Sequence, residues 1–116
     1  MGLDQWAYAT QHGVGKKSGK IEIATWRKHH ALDEIMADMY YSKYDWGHSF
    51  NQRKLELDES DLDSLEIVIE DPDKPLYQDA LDEHHKEELR IYDLDFIYKA
   101  RFYLNNRDRV YYTNWW

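Results

Sequence analysis

The stretch WRKHH, Trp26 to His30, gathers residue types that could hold a ligand. An indole offers a face for stacking, Arg27 and Lys28 are fixed cations, and a strand-to-helix junction leaves N-terminal amides free to donate. An anionic, aromatic molecule such as a nucleotide or nucleotide signal would use all of these, with Trp26, Arg27, Lys28 and His29 as its contacts. The plainer alternative keeps Trp26 in the core and sets Arg27 and Lys28 against acidic neighbours.

The other chemically capable residues are weaker candidates. His29 with His30, and His84 with His85, are adjacent pairs. Neighbours diverge by about 100° on a helix and face opposite ways on a strand, so neither pair chelates one metal by itself. A metal-dependent enzyme would need His30, His84 or His85 to converge with Glu83 across segments, and no HExxH spacing occurs. Glu83 and Glu87 stand at i and i+4, yet beside Lys86 and Arg90 they read as a solvated helix face rather than an acid and base. The run GVGKKSGK has five residues between Gly13 and Gly19. A phosphate-binding loop needs about four there and a helix after it, whereas a strand follows here. With no cysteine and no GxSxG elbow, no catalytic residue, metal or cofactor is indicated, and the chain reads as non-enzymatic.

The elements that would position these residues follow from periodicity. LDQWAYAT (3–10) and KIEIATWRK (20–28) have strand composition on either side of HGVGKKSGK, which predicts a β-hairpin with that Gly- and Lys-rich run at its tip. Strict alternation would put Ile21 and Ile23 on one face and Ala24 and Trp26 on the other. Leu32, Ile35, Met36, Met39 and Tyr40 repeat at helical spacing, and Leu55 with Leu57 marks a short strand. Leu62, Leu65 and Ile69 mark a second helix, capped by Asp58 or Ser60 and ended by Pro72 and Pro75. A surface helix is expected near 79–90. A separate one from Asp93 would bury Leu94, Ile97, Ala100, Phe102 and Leu104. RVYYTNWW closes the chain as a strand, with Val110, Tyr112, Asn114 and Trp116 on one face and Tyr111, Thr113 and Trp115 on the other. The expectation is one α+β domain over 1–116. An N-terminal hairpin and the C-terminal strand form a small, mostly antiparallel sheet packed by three to four helices.

Composition narrows the partners. A net charge of −8, with 15 Lys and Arg interspersed among the acids, disfavours a nucleic-acid backbone. No apolar run approaches the roughly 20 residues that cross a bilayer, and MGLDQW has no signal-peptide pattern, so no membrane partner and a cytoplasmic location are expected. Ten Tyr and five Trp remain to be explained. Such residues dominate interface hot spots, which makes Tyr44, Trp46, Tyr111, Tyr112, Trp115 and Trp116 candidate protein-binding anchors.

MGLD, WRKHHAL and VYYTNWW, with LELDESDLDSLE and DLDFIYKA between them, resemble a widespread family of small uncharacterised bacteriophage proteins. Its members share a GLD start, a WRK motif before a helix and a Tyr-Tyr, Trp-rich C-terminus. The resemblance covers most of the chain outside residues 71–92. It implies a phage product made in the cytoplasm of the infected host cell, and it brings no enzyme activity, cofactor or catalytic residue. The expected protein is an accessory factor, monomeric or a small homo-oligomer. It would bind a host protein during infection through an aromatic and acidic surface.

Overall fold

Along the first strand, β1 (Asp4–Thr10), Gln5, Ala7 and Ala9 are buried while Asp4, Trp6, Tyr8 and Thr10 stay half-buried. This alternation sets the architecture, because β1 is one of two central strands in a four-stranded sheet. The computed structural model describes residues 2–10, 19–44, 50–73, 75–78 and 80–116. After β1 come β2 (Lys20–Arg27), α1 (His30–Tyr44), β3 (Lys54–Leu57), α2 (Glu59–Ile69), a 3-10 turn (Pro75–Tyr77), α3 (Glu83–Asn105) and β4 (Arg109–Trp115). Every pairing is antiparallel, in the order β2-β1-β4-β3. The α+β fold with an N-terminal hairpin and a closing C-terminal strand is therefore the one adopted, and the hairpin's tip at 11–18 lies outside the described residues. β4 pairs with β1 along its whole length, from Asp4 opposite Trp115 to Thr10 opposite Arg109. That ladder is what orders the C-terminal strand.

Strict alternation fails in β2. The register shifts between Ala7 and Tyr8, which face Ala24 and Glu22, and Ile23 is left as the extra residue of a β-bulge. The bulge resets the parity, so Ile21 (opposite Ala9) and Trp26 (opposite Gln5) point to the same side. The expected split of apolar residues between two faces is thus replaced by one apolar face. Ile23, Ala24 and Trp26 all join the core.

The helices fill that side. Leu32, Met36 and Tyr40 of α1, Leu62, Leu65 and Ile69 of α2, and Phe96, Ile97 and Ala100 of α3 form one cluster with Ala7, Ala9, Val110 and Tyr112 of the sheet. Each fully buried large apolar side chain stabilises by about 1.5–3 kcal/mol. Ala7 lies between Ala24 and Tyr112 in the central register, and the two alanines leave room for the large rings on that face. Trp26 meets Phe96 edge-to-face at 5.0 Å. Asp58 caps α2, accepting from Asp61 N–H at 2.9 Å while its own N–H donates to Asp61 Oδ2.

The region expected to hold two helices holds one, the 23-residue α3. Its polar first turns are stabilised by the Asp82 cap, which accepts from His85 N–H at 2.9 Å, and by Glu83–Lys86 and Glu87–Arg90 pairs. No Pro or Gly interrupts 83–105. Its buried face is Asp93, Phe96, Ile97 and Ala100, with Leu94 and Leu104 half-buried. Phe102, expected inward, is 56% exposed because it falls off that stripe. Arg101 ties α3 to Asp63 and Glu66 of α2.

Each sheet edge is capped at one residue by side chains from a helix. The Tyr92 hydroxyl of α3 accepts from Thr25 N–H and donates to Thr25 O, both at 2.8 Å, occupying one unit of the open β2 edge. On the β3 edge, Glu56 N–H donates to the Tyr44 hydroxyl at 3.3 Å, and Lys43 Nζ donates to Glu56 O at 2.6 Å. Replacing Tyr92→Phe should lower stability by about 1 kcal/mol and speed hydrogen exchange at the Thr25 amide. An unchanged urea midpoint together with unchanged exchange would refute the edge-capping role.

Candidate functional site

Only Lys28 and His29 separate β2 from α1. Lys28 adopts a left-handed backbone, φ 60°, which turns the chain, and its N–H donates to Leu3 O at 2.7 Å. The turn sets His29 against β1, where the Gln5 side chain grips both of its backbone groups. His29 N–H donates to Gln5 Oε1 at 2.8 Å, and Gln5 Nε2 donates to His29 O at 3.0 Å. With its backbone fixed in this way, the imidazole reaches α3, placing Nε2 2.9 Å from Asp93 Oδ2.

Asp93 is fully buried and satisfied by three donors. Trp26 Nε1–H donates to Oδ1 at 2.7 Å, while Tyr77 O–H, at 2.8 Å, and His29 donate to Oδ2. A buried carboxylate is tolerable only with such company, since stripping water from it costs several kcal/mol. Because a carboxylate only accepts, the His29 proton sits on Nε2. Nδ1 is then the remaining polar atom of a side chain only 8% exposed, and it has no hydrogen-bond partner among the described residues. Burial first, and then the Asp93 carboxylate, pushes the Tyr77 phenol well above its ordinary 10.0.

The polar contacts continue across the sheet. Gln5 Nε2 also donates to the Tyr112 hydroxyl at 2.8 Å, and Tyr112 donates to Asp33 Oδ1 at 2.7 Å. Asn114 Nδ2 donates to the same Asp33 oxygen at 2.7 Å and to Phe50 O at 3.0 Å. Burial, and secondarily Asp33, raises the Tyr112 phenol.

Beside His29 a cleft of about 200 Å³ opens to solvent. Arg27, Lys28, His29 and His30 form one wall, and Leu76, Tyr77, Ala80 and Leu89 form the other. Of the residues expected to hold a ligand, three therefore line one cavity. Trp26 is the exception. Its ring is core, packed on Phe96 and hydrogen-bonded to Asp93, so no ligand stacks on it. A pocket this small also falls short of the roughly 300 Å³ at which pockets begin to enclose drug-sized molecules.

The opposite face of the sheet bears a different site. Trp6 and Tyr8 of β1 and Tyr111, Thr113 and Trp115 of β4 share it by register, and all lie outside the core cluster that holds the three helices' buried residues. The Tyr8 and Tyr111 rings stack at 5.4 Å. Lys20 Nζ sits 4.8 Å above the Tyr8 ring and Lys54 Nζ 5.0 Å above Tyr111. Trp115 is 59% exposed.

The remaining candidates separate cleanly. Tyr112 is buried in the core and hydrogen-bonded on both sides, so it is no surface anchor. Tyr44 packs on Tyr40 at 4.9 Å and caps the β3 edge. Trp46 lies outside the described residues. Trp116 is 47% exposed and its backbone is clasped by Asn51, which accepts from Trp116 N–H at 3.0 Å and donates to Trp116 O at 2.9 Å. His84 and His85 are exposed beside Glu88 and Asp82, and no three metal-ligating side chains converge among the described residues. No motif marks Asp93, Gln5 or Tyr77. Comparisons with protein-family models, curated proteins and solved structures return no match.

Asp93→Asn removes one acceptor oxygen and leaves a donor without its partner, and should cost about 3 kcal/mol in a denaturant titration; a loss below about 0.5 kcal/mol would show that the carboxylate organises nothing. Tyr77 and Tyr112 ionise less readily folded than unfolded. Their contribution is whole below the ordinary phenol pKa of 10.0 and is lost as pH rises above it. Tyrosinate absorbance should therefore show these two phenols titrating only together with base-induced unfolding. Ionisation of all the tyrosines while the native circular dichroism persists would contradict their burial.

Proposed function

We propose that the chain is a non-enzymatic binding protein that engages a partner protein through the open face of its sheet. The observation that supports this most strongly is the aromatic file of Trp6, Tyr8, Tyr111 and Trp115, with Tyr8 and Tyr111 stacked, on the face away from the helices. Trp115 is exposed, Trp6 and Tyr8 are half-buried and Tyr111 is buried among them. Aromatic groups held rigid on strands in this way suit an interface hot spot, because little side-chain entropy is lost on docking. The rim decides the class of partner. By register Lys20, Arg27, Lys54 and Arg109 alternate with Asp4, Glu22 and Glu56, so both signs surround the aromatic centre. A phosphate backbone would meet as much repulsion as attraction there, while a protein surface with mixed charge would find complements. The surface is thus aromatic with a mixed rim rather than acidic. The resemblance to small phage proteins supplies the setting, an accessory product that binds a host protein during infection.

Point substitution is the right test, since deleting 115 and 116 would also remove the pairing with Asp4 and the Asn51 clasp. Trp115→Ala should leave the circular dichroism and thermal midpoint nearly unchanged and weaken a captured host partner by roughly 30-fold, the scale of a hot-spot residue. A dissociation constant within about twofold of wild type for both Trp115→Ala and Tyr8→Ala would remove the sheet face from consideration.

A further inference from the structure

The cleft beside His29 shares only Arg27 with the rim of the aromatic face, and its chemistry is specific. It lies at the end of β2 on the edge of the sheet, bounded by α1, the 3-10 turn and α3. One wall is cationic and imidazole-bearing, with Arg27, Lys28, His29 and His30; the other is largely apolar, with Leu76, Ala80 and Leu89. We infer that this cleft binds a small phosphomonoester, its phosphate against Arg27, Lys28 and the Nδ1 atom of His29 and its short carbon skeleton against Leu76, Ala80 and Leu89.

Three observations carry this. First, the His29 side chain is more than nine-tenths buried and held from behind by Asp93, yet Nδ1 has no hydrogen-bond partner among the described residues. Nδ1 is not itself among the buried atoms that lack a partner, so it is reached from the cleft and open to a ligand atom. Second, a phosphomonoester suits either protonation state of that atom. Its monoanion carries a P–OH that donates to a bare Nδ1, and its dianion accepts from an imidazolium. The groups around the ring are Asp93 from α3, the Tyr77 phenol from the 3-10 turn, His30 from α1 and the Arg27 and Lys28 cations from β2 and the turn. Third, the cations are free to serve. Arg27 is 77% exposed with only a 3.9 Å approach to Asp4, and Lys28 has no ion pair among the described residues.

Size limits the ligand. At about 200 Å³ the cavity takes a phosphate and a few carbons, not a whole nucleotide, and the buried Trp26 gives a base nothing to stack on. Asp93 is a positioning residue in this scheme, because it touches His29 and not the ligand.

The test uses the full chain with inorganic phosphate, glycerol phosphate and adenosine monophosphate, read by imidazole and amide resonances at 27–31. The variant is Arg27→Gln with Lys28→Gly. Arg27 is exposed, and glycine suits the left-handed backbone at 28 while keeping the N–H that donates to Leu3 O, so the fold is retained. Glycerol phosphate should give saturable shifts centred on His29, bind at least about tenfold tighter than inorganic phosphate and adenosine monophosphate, and lose at least about tenfold in the variant. Absence of saturable shifts with all three overturns the site. Equal binding by wild type and variant overturns the role of the cations, and with it the inference. Inorganic phosphate binding as tightly as glycerol phosphate overturns the placement of the carbon skeleton, and adenosine monophosphate binding tightest overturns the size limit.

Discussion

The Asp93 carboxylate is the constraint on which the rest of the structure depends. Its donors come from 67, 64 and 16 residues away, through Trp26, His29 and Tyr77. The apolar contacts of α3 would tolerate a small slide of the helix along the sheet, since Leu, Ile and Phe side chains repack at modest cost. A buried carboxylate does not tolerate it. Any shift that separates Asp93 from its donors leaves a charge without water or partners, at a cost of several kcal/mol. The hydrophobic face of α3 therefore supplies adhesion, and Asp93 supplies register. This same register puts Tyr92 one residue earlier against Thr25, where it covers the edge of β2.

The two sides of the sheet divide the work by residue parity. In β4, Val110, Tyr112 and Asn114 face the helices, and the latter two carry polar contacts through Asp33 and Gln5. Tyr111, Thr113 and Trp115 face outward beside Trp6 and Tyr8. Trp116 has the inward parity but lies past the strand's end, so neither helices nor ladder enclose it. Parity thus gives the direction of a side chain, and the extent of the pairing decides whether anything covers it.

Much of this was legible in the sequence because it rests on local periodicity. The hairpin strands, α1 with Leu32, Met36 and Tyr40, the Asp58 cap and the closing strand all follow from spacing within one segment. The bulge at Ile23 was not, because it depends on which residues of β1 lie opposite, and no pattern in KIEIATWR alone counts an extra residue. Continuity of α3 was hidden by its polar first half, where capping and ion pairs replace a hydrophobic stripe. Of the cleft, Arg27, Lys28 and His29 were visible as a cluster, whereas Tyr77, Leu76 and Leu89 arrive from distant segments. Asp93 did leave a trace. It stands at i of an i, i+3, i+4, i+7 apolar series with Phe96, Ile97 and Ala100, and a carboxylate on such a face implies buried donors.

The net charge of −8 conceals where the cations are. On the helices they are largely neutralised: Lys86 by Glu83, Arg90 by Glu87, Lys99 by Asp95, and Arg101 by Asp63 and Glu66. On the sheet they are held differently. Lys20 and Lys54 lie over tyrosine rings, and Arg27 and Lys28 border the cleft. Surface ion pairs within a helix contribute little binding capacity because each charge already has its complement. Cations resting on rings or beside an open imidazole keep most of theirs. An acidic protein can therefore present its attractive groups for anions and carboxylates only where the sheet, rather than a helix, displays them, and in this chain both candidate surfaces begin on the sheet.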